Sequence, residues 1–424
     1  MISRSMDAAV SERTHRVRYA ALAIFTEFAL GVTYTWSVFR GPLGKLHGWS
    51  ETQTIAPYRY SILTFAVAII FAGIWVDRRG PRIVGAVGGI LLMLGFVFAG
   101  IFSGSVTGLI LSYGFLCGSG VGVCYVPPIA TCIKWFPDRR GMIVGISVMG
   151  AGLGPLLYGP MVEQLIGKVP ARWPYTIPHT FFILAGLLAI CLTGTAQFMK
   201  MPPPDWKPEG WTPPVERAST IDATTSTMIR TWQFYTLWLF DFLGASVGLV
   251  AIGAAAPLIL EVSRVSAATF SGGLAVGVMS VFNGLGRVIW GTVSDHVGRK
   301  GAALSVSALA AIACFAFFRA PFGFWPVIVG LCLVAAGYGG VVALLPALLA
   351  DYYGPRNLGG NYGVLYTAWG LAGFVTPGYF AGILDRYRAG NGLLAGYHQV
   401  FLGLGALACG AFLMAGLLRK PRLS

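Results

Sequence analysis

From Ile83 to Ile133 the chain runs 51 residues without one Asp, Glu, Lys or Arg, and from Ala320 to Ala350 another 31. A membrane-spanning helix needs about 20 predominantly apolar residues, and within lipid every backbone N–H and C=O must find its partner inside the protein. Runs of this length therefore fold as transmembrane helices, several of them in succession. Composition agrees: the 424 residues are 56% hydrophobic and 11% charged, where soluble domains carry roughly 25% charged residues. So few charges cannot cover a water-facing surface, which excludes a soluble globular protein.

Apolar runs between charged or Pro-rich breaks give spans near 17–39, 54–76, 83–103, 106–133, 141–166 and 176–199, then 232–260, 268–293, 301–319, 324–349, 360–384 and 395–418. The expected fold is all-α, with twelve transmembrane helices as two six-helix bundles, residues 1–199 and 232–424. Between them, 200–231 carries PPPDWKPEGWTPP and reads as a cytoplasmic linker by composition. The first run, from Val17 to Phe39, is too long for the apolar core of a signal peptide, so it is expected to stay as the first span. The net charge of +14 would suggest nucleic acid in a soluble domain, but here its distribution reads as topology. With the N-terminus inside, 20 of the 30 Lys and Arg fall on the cytoplasmic side and nine on the other, Arg287 lying within a span. Both termini are expected in the cytoplasm of a multi-pass protein of the cell membrane.

The two sets of spans are related. Gly73-Ile-Trp-Val-Asp77-Arg78-Arg-Gly80-Pro-Arg82 recurs, degraded, as Gly291-Thr-Val-Ser-Asp295-His-Val-Gly298-Arg299-Lys300, an offset of 218 residues. The same offset carries Pro128 onto Pro346, Pro137 onto Pro355, Gly141 onto Gly359 and Gly152 onto Gly370. Independent matches at one shift indicate an internal duplication. Two such repeats facing each other place a substrate site near the bilayer midplane, between them.

That repeated segment resembles the loop signature of the major facilitator superfamily. Trp135-Phe-Pro-Asp-Arg139-Arg140-Gly, followed by spaced small residues to Gly154, resembles the fifth-span motif of monocarboxylate transporters. Gly120 to Tyr125, Thr231 to Trp238 and Asn283-Gly-Leu-Gly-Arg287 also resemble the bacterial oxalate/formate antiporters. The resemblance, to bacterial monocarboxylate transporters of the lactate-carrying kind, implies a secondary transporter. Trp369 stands where oxalate exchangers carry an eleventh-span Lys, and Asn283 where animal monocarboxylate transporters carry an Asp. The first span also lacks the animal family's acid-Gly-Gly-aromatic motif and a Lys.

Read on their own, three ionisable residues lie deep in spans: Glu27, Asp241 and Arg287. An intramembrane charge is a functional candidate because it costs about 2.5–3.5 kcal/mol at a helix centre. Arg287 keeps its proton, and its planar fork fits a carboxylate through two parallel hydrogen bonds. The competing role is a structural Arg paired with Asp241 or with helix carbonyls. Asn283, four residues earlier, shares its face. One cation suits one negative charge, whereas a dianion would leave a charge uncompensated, so a small monocarboxylate is the expected substrate. Tyr34, Tyr125 and Tyr338 align with aromatic cavity residues of the exchangers and, with Trp369, are the expected lining; the alternative for each is plain packing. Asp241 and Glu27 are the candidates to carry a proton, or else to pair helices.

Asp77, Arg78, Arg82, Asp295 and Arg299, with Lys300, sit at cytoplasmic helix ends; the family resemblance, together with their charge, implies bridges between the halves that hold one conformation closed, and the alternative is topogenic charge alone. Gly150, Gly152 and Gly154 with Pro155, and Gly370, Gly373 and Pro377, permit close approach and bending. No HExxH, Walker loop or nucleophile constellation is present, so no enzyme, cofactor or metal is expected. The seven Cys lack ligand spacing and are expected to pack. The expected activity is symport of a lactate-like acid with a proton by a monomer, with exchange of the oxalate/formate type as the alternative.

Overall fold

A computed structural model describes residues 2–167, 176–203, 206–208, 222–266, 271–318, 323–354, 357–388 and 392–422; the side chains of 2–15, 140–141, 176 and 265–266 are outside that description. Two parts of the linker, 204–205 and 209–221, therefore lie outside it. Among the described residues, ten helices are long and apolar enough to cross a membrane.

Helix 1 starts at Ile2, tightens into a 3-10 segment at Gly31–Thr35 and continues as Trp36–His47. Glu51–Ile101 is continuous as drawn but breaks at Gly80 (φ 77°, ψ 166°), so it supplies helices 2 and 3. Helix 4 is Val106–Trp135, with a π-helical stretch at Ile110–Cys117. Helix 5 is Arg140–Leu153 followed by Pro155–Gly167, and helix 6 is Thr176–Phe198. Then come helix 7 (Trp232–Ser266), helix 8 (Gly272–Val297), helix 9 (Arg299–Phe317) and helix 10 (Phe324–Tyr353). Helix 11, Leu358–Leu365 and Thr367–Arg388, is rich in Gly and Tyr, which lowers its hydropathy without preventing a crossing. Helix 12 is Leu393–Leu417. The chain is thus an all-α membrane protein of twelve spans in two six-helix bundles.

The duplication is visible in the backbone. Gly80 and Gly298, 218 residues apart, both adopt positive φ (77° and 79°), the region a Cβ disfavours. Each turns the chain sharply from a second helix into a third, which is why the signature holds Gly at that position in both copies. Large apolar side chains remain exposed around the outside, among them Phe71 (66%), Trp325 (70%) and Ile190 (76%). A water-soluble surface does not carry such a belt; acyl chains do cover one.

Two arginines counted with the loops lie on helices 1 and 2, Arg40 because helix 1 runs past its expected end and Arg59 because it falls within the expected span 54–76. Arg40 is fully buried and Arg59 about half. Their guanidiniums are held by protein groups rather than by water, and that allows them to sit there. The ends of the linker also have structure. Trp206 stacks edge-on against Trp135 at 4.8 Å. The Ala223 N–H donates to Tyr353 O at 2.8 Å, and Thr225 Oγ1 donates to Asn361 Oδ1 at 2.8 Å. One end therefore docks on each half.

Candidate substrate site

The site forms where helices 1, 4, 8 and 11 meet at mid-depth. On helix 1, Thr33 and Thr35 donate their hydroxyls to Leu30 O (3.1 Å) and Val32 O (2.5 Å). These i−3 bonds favour the tighter 3-10 winding and set Tyr34 into the cavity. On helix 8, Gly286 meets the backbone of Ala336, and Gly339 of helix 10 meets Asn283 O. A Cβ at either glycine would collide with backbone, so helices 8 and 10 pack at close range and the base of Arg287 is fixed.

Arg287 is 4% exposed. Its Nη1 donates to Val148 O of helix 5 at 2.8 Å, and its Nε donates weakly to Asn283 Oδ1 at 3.4 Å. No carboxylate lies within 4.0 Å of it among the described residues. Of the competing structural role, pairing with Asp241 is not seen among the described residues, whereas a helix carbonyl does hold the guanidinium, together with the Asn283 amide oxygen; Nη2 has no partner among those residues. The cavity it faces is lined by Tyr34, Tyr58, Phe65, Tyr125, Tyr366 and Trp369, with apolar residues completing the wall. The space open to the centre of a water-sized sphere is about 40 Å³, where one water needs about 10–15 Å³.

Of the residues singled out from sequence, Arg287, Tyr34, Tyr125 and Trp369 line this cavity. Tyr338 and Asn283 do not; they stand one layer behind. Tyr338 Oη accepts from Trp369 Nε1 at 2.8 Å and shares a 3.3 Å bond with Tyr34 Oη. That chain joins helices 1, 10 and 11 across the two halves. Tyr366 and Phe65 were missed. Tyr366 stacks on Trp369 at 5.0 Å, and Phe65 meets both Tyr125 (5.3 Å) and Trp369 (5.1 Å) edge-on. Spacing carries a signal for them, since Tyr362, Tyr366 and Trp369 fall on one helical face, as do Tyr58 and Phe65.

Glu27 and Asp241 are fully buried, and none of their carboxylate oxygens has a hydrogen-bond partner. Glu27 packs against Gly150 of helix 5, near enough to Arg287 for their charges to interact. Asp241 faces helix 11, beside the Trp369 backbone N–H and Tyr362 without reaching hydrogen-bond geometry. Each acid thus sits on the first helix of its half and faces the fifth.

The helix-end charges stay within their own halves in this conformation. Asp77 pairs with Lys134 (3.2 Å), Arg82 donates to Met199 O (3.2 Å), Arg299 bridges Asp295 (2.7 Å) and Asp351 (3.3 Å), and Arg78 is exposed. Bridges between the halves instead occur on the opposite face, away from the chain termini. Glu51 pairs with Arg388, Arg40 Nη1 donates to Gly253 O (2.6 Å), and Arg59 Nε donates to Phe374 O (2.6 Å). Among the described residues, every hydrogen bond joining the halves lies at the level of Arg287 or on that far face. The far face is therefore closed.

The model of the major facilitator superfamily matches residues 20–377. The chain belongs to the major facilitator superfamily. It is a transporter, not an enzyme. It is 28% identical over 373 residues to the oxalate:formate antiporter of Oxalobacter formigenes, covering 87% of this chain and 85% of that one. Against monocarboxylate transporter 12 of Xenopus laevis it is 24% identical over 354 residues, 75% of this chain and 71% of that one. A solved structure of a bacterial homologue of the human lysosomal transporter Spinster, inward-facing and unoccupied, superposes with a TM-score of 0.68 at 18% identity, over 96% of this chain and 98% of that one. That likeness speaks to the fold.

Proposed function

We propose that this transporter carries a short monocarboxylate, lactate-like in size, together with a proton, by alternating access across the cell membrane. The observation that carries the reading is Arg287: a buried cation with no acid bound to it, its Nη2 free, at the wall of an aromatic cavity. One guanidinium neutralises one carboxylate, and a second negative charge would meet no second cation in the cavity wall. The cavity is small but exceeds what one water needs, which suits a small solute. Tyr34 and Tyr125 supply hydroxyls and Phe65, Tyr366 and Trp369 supply apolar faces, the usual division of labour in a small-solute site.

A proton makes the movement of such an anion feasible, because carrying one uncompensated charge inward against 100 mV of opposing potential costs about 2.3 kcal/mol. Glu27 and Asp241 are the candidates to hold it, being fully enclosed carboxyls without partners. We place both termini in the cytoplasm on the Lys and Arg bias, and take the monomer as the working unit.

Uptake of labelled lactate into proteoliposomes tests the reading: it is expected to rise with an inward proton gradient, fall with uncoupler and vanish in Arg287→Ala. Uptake undiminished in that variant would overturn it. The relative named an oxalate:formate antiporter supports a second reading, anion exchange, in which uptake requires internal substrate and ignores the proton gradient.

A further inference from the structure

The far face is held shut by two carboxylates that cap helix ends across the interface. Near the end of helix 11, Asp385 Oδ1 accepts the Glu51 N–H at 2.6 Å, while Oδ2 accepts the Thr52 N–H at 3.0 Å and the Thr52 hydroxyl at 2.6 Å. These are the first turn of helix 2, in the other half. Near the end of helix 5, Glu163 Oε2 accepts the Gly273 N–H at 3.0 Å, in the first turn of helix 8, again in the other half. The first N–H groups of a helix have no partner within it, and the positive end of its dipole favours an anion.

The two contacts are related by the duplication. An offset of 218 carries Glu163 to within one turn of Asp385, and Gly273 to within one turn of Glu51, both displaced toward the far face. In each half the acid comes from the fifth helix, and it accepts from N–H groups at the start of the second helix of the opposite half.

We infer that Asp385 and Glu163 form a reciprocal latch: opening the far face breaks both caps at once, so the pair sets the balance between the two access states. Glu51 adds to it, its side chain held between Arg40 and Arg388 while its own N–H is capped by Asp385. Rocking of the halves exposes two helix N-termini and two carboxylates to water in a single step. That makes closure cooperative without any contact to the solute. The inference rests on the alternating-access part of the function proposed above, and on no particular substrate.

Ile55 reports on it. It is 2% exposed and packs against Gly253 of helix 7, one turn inward of Glu51, so water reaches it when the far face opens. The full-length protein carrying Ile55→Cys is purified in detergent and treated with a water-soluble maleimide, and modification is followed residue by residue by mass spectrometry. Asp385→Ala or Glu163→Ala is expected to speed modification of that cysteine on the order of tenfold, the factor one charge-assisted hydrogen bond carries. The double variant is expected to go further. Cys132, buried inside the first half, and the control Asp295→Ala, whose partner Arg299 lies in its own half, are expected to show no change. If the alanine variants do not fold, Asp385→Asn and Glu163→Gln keep the shape and remove the charge. An unchanged rate in the double variant, or an equal rise at Cys132, overturns the latch. Because no solute enters the assay, that failure is distinct from absence of lactate uptake, which bears on the substrate alone.

Discussion

Exchanging Arg287 for Lys retains the charge and removes the fork, which isolates what the guanidinium geometry contributes. In the structure Nη1 is already engaged with Val148 O at 2.8 Å and Nε leans on Asn283 Oδ1 at 3.4 Å, leaving the Nη2 edge for a solute. A carboxylate docking there takes two parallel hydrogen bonds, one from each terminal nitrogen. The lysine ammonium has three donors on one nitrogen, so it can reach Val148 O and the solute but cannot offer the solute two parallel bonds. The expected loss is one charge-assisted bond, about 1.5–3 kcal/mol, so affinity falls by roughly 10- to 150-fold. Arg287→Ala removes both bonds, about 3–6 kcal/mol on the same scale, which takes uptake below detection. Isothermal titration of the purified proteins with lactate reads the affinities, and a thermal melt in parallel verifies folding. Lactate bound by the folded Lys variant within threefold of the parent would refute the reasoning, since the fork would then contribute nothing.

Further outcomes follow from neighbouring contacts. Trp369→Phe keeps a ring against Phe65 and Tyr366 but removes the donor to Tyr338 Oη; a stability loss of about 0.5–1.5 kcal/mol is expected, read as a lower melting temperature with weaker lactate binding. In Gly152→Ala the new Cβ would stand 3.0 Å from Gly284 Cα, backbone against backbone. Helices 5 and 8 must then separate at the level of Arg287, so uptake is expected to drop at unchanged expression, with about 1–3 kcal/mol lost in the melt. Glu27→Gln and Asp241→Asn each replace an unpartnered carboxyl by a neutral group of the same size. At least one of them is expected to abolish accumulation driven by a proton gradient while sparing counterflow of labelled lactate; accumulation intact in both, and in the double variant, would remove the two acids from coupling.

The resemblance to oxalate exchangers and to monocarboxylate transporters points in two directions on valence. On the function proposed above the second fits better: Trp369 gives the wall a neutral donor, already committed to Tyr338, so among the described residues Arg287 is the one cation in the cavity wall.

What the sequence alone determined was the part written in chain-local patterns. Charge-free runs define spans, because lipid tolerates little else, and the offset of 218 defines the two halves. The same offset pairs Gly80 with Gly298, although only the backbone shows that both turn the chain at positive φ. Arg287 stood out as a charge placed where charges are costly. Tertiary structure decided everything that depends on which helices meet. Tyr338 and Asn283 moved one layer back and Tyr366 and Phe65 moved in, because a face of a helix does not announce its neighbour. The helix-end charges, adjacent in sequence pattern, pair within halves, whereas the bonds that close the protein join residues from 110 apart, Glu163 and Gly273, to more than 300 apart, such as Thr52 and Asp385. Hydropathy could not mark those, because it records how well a residue tolerates lipid and not which surface the opposite half presents.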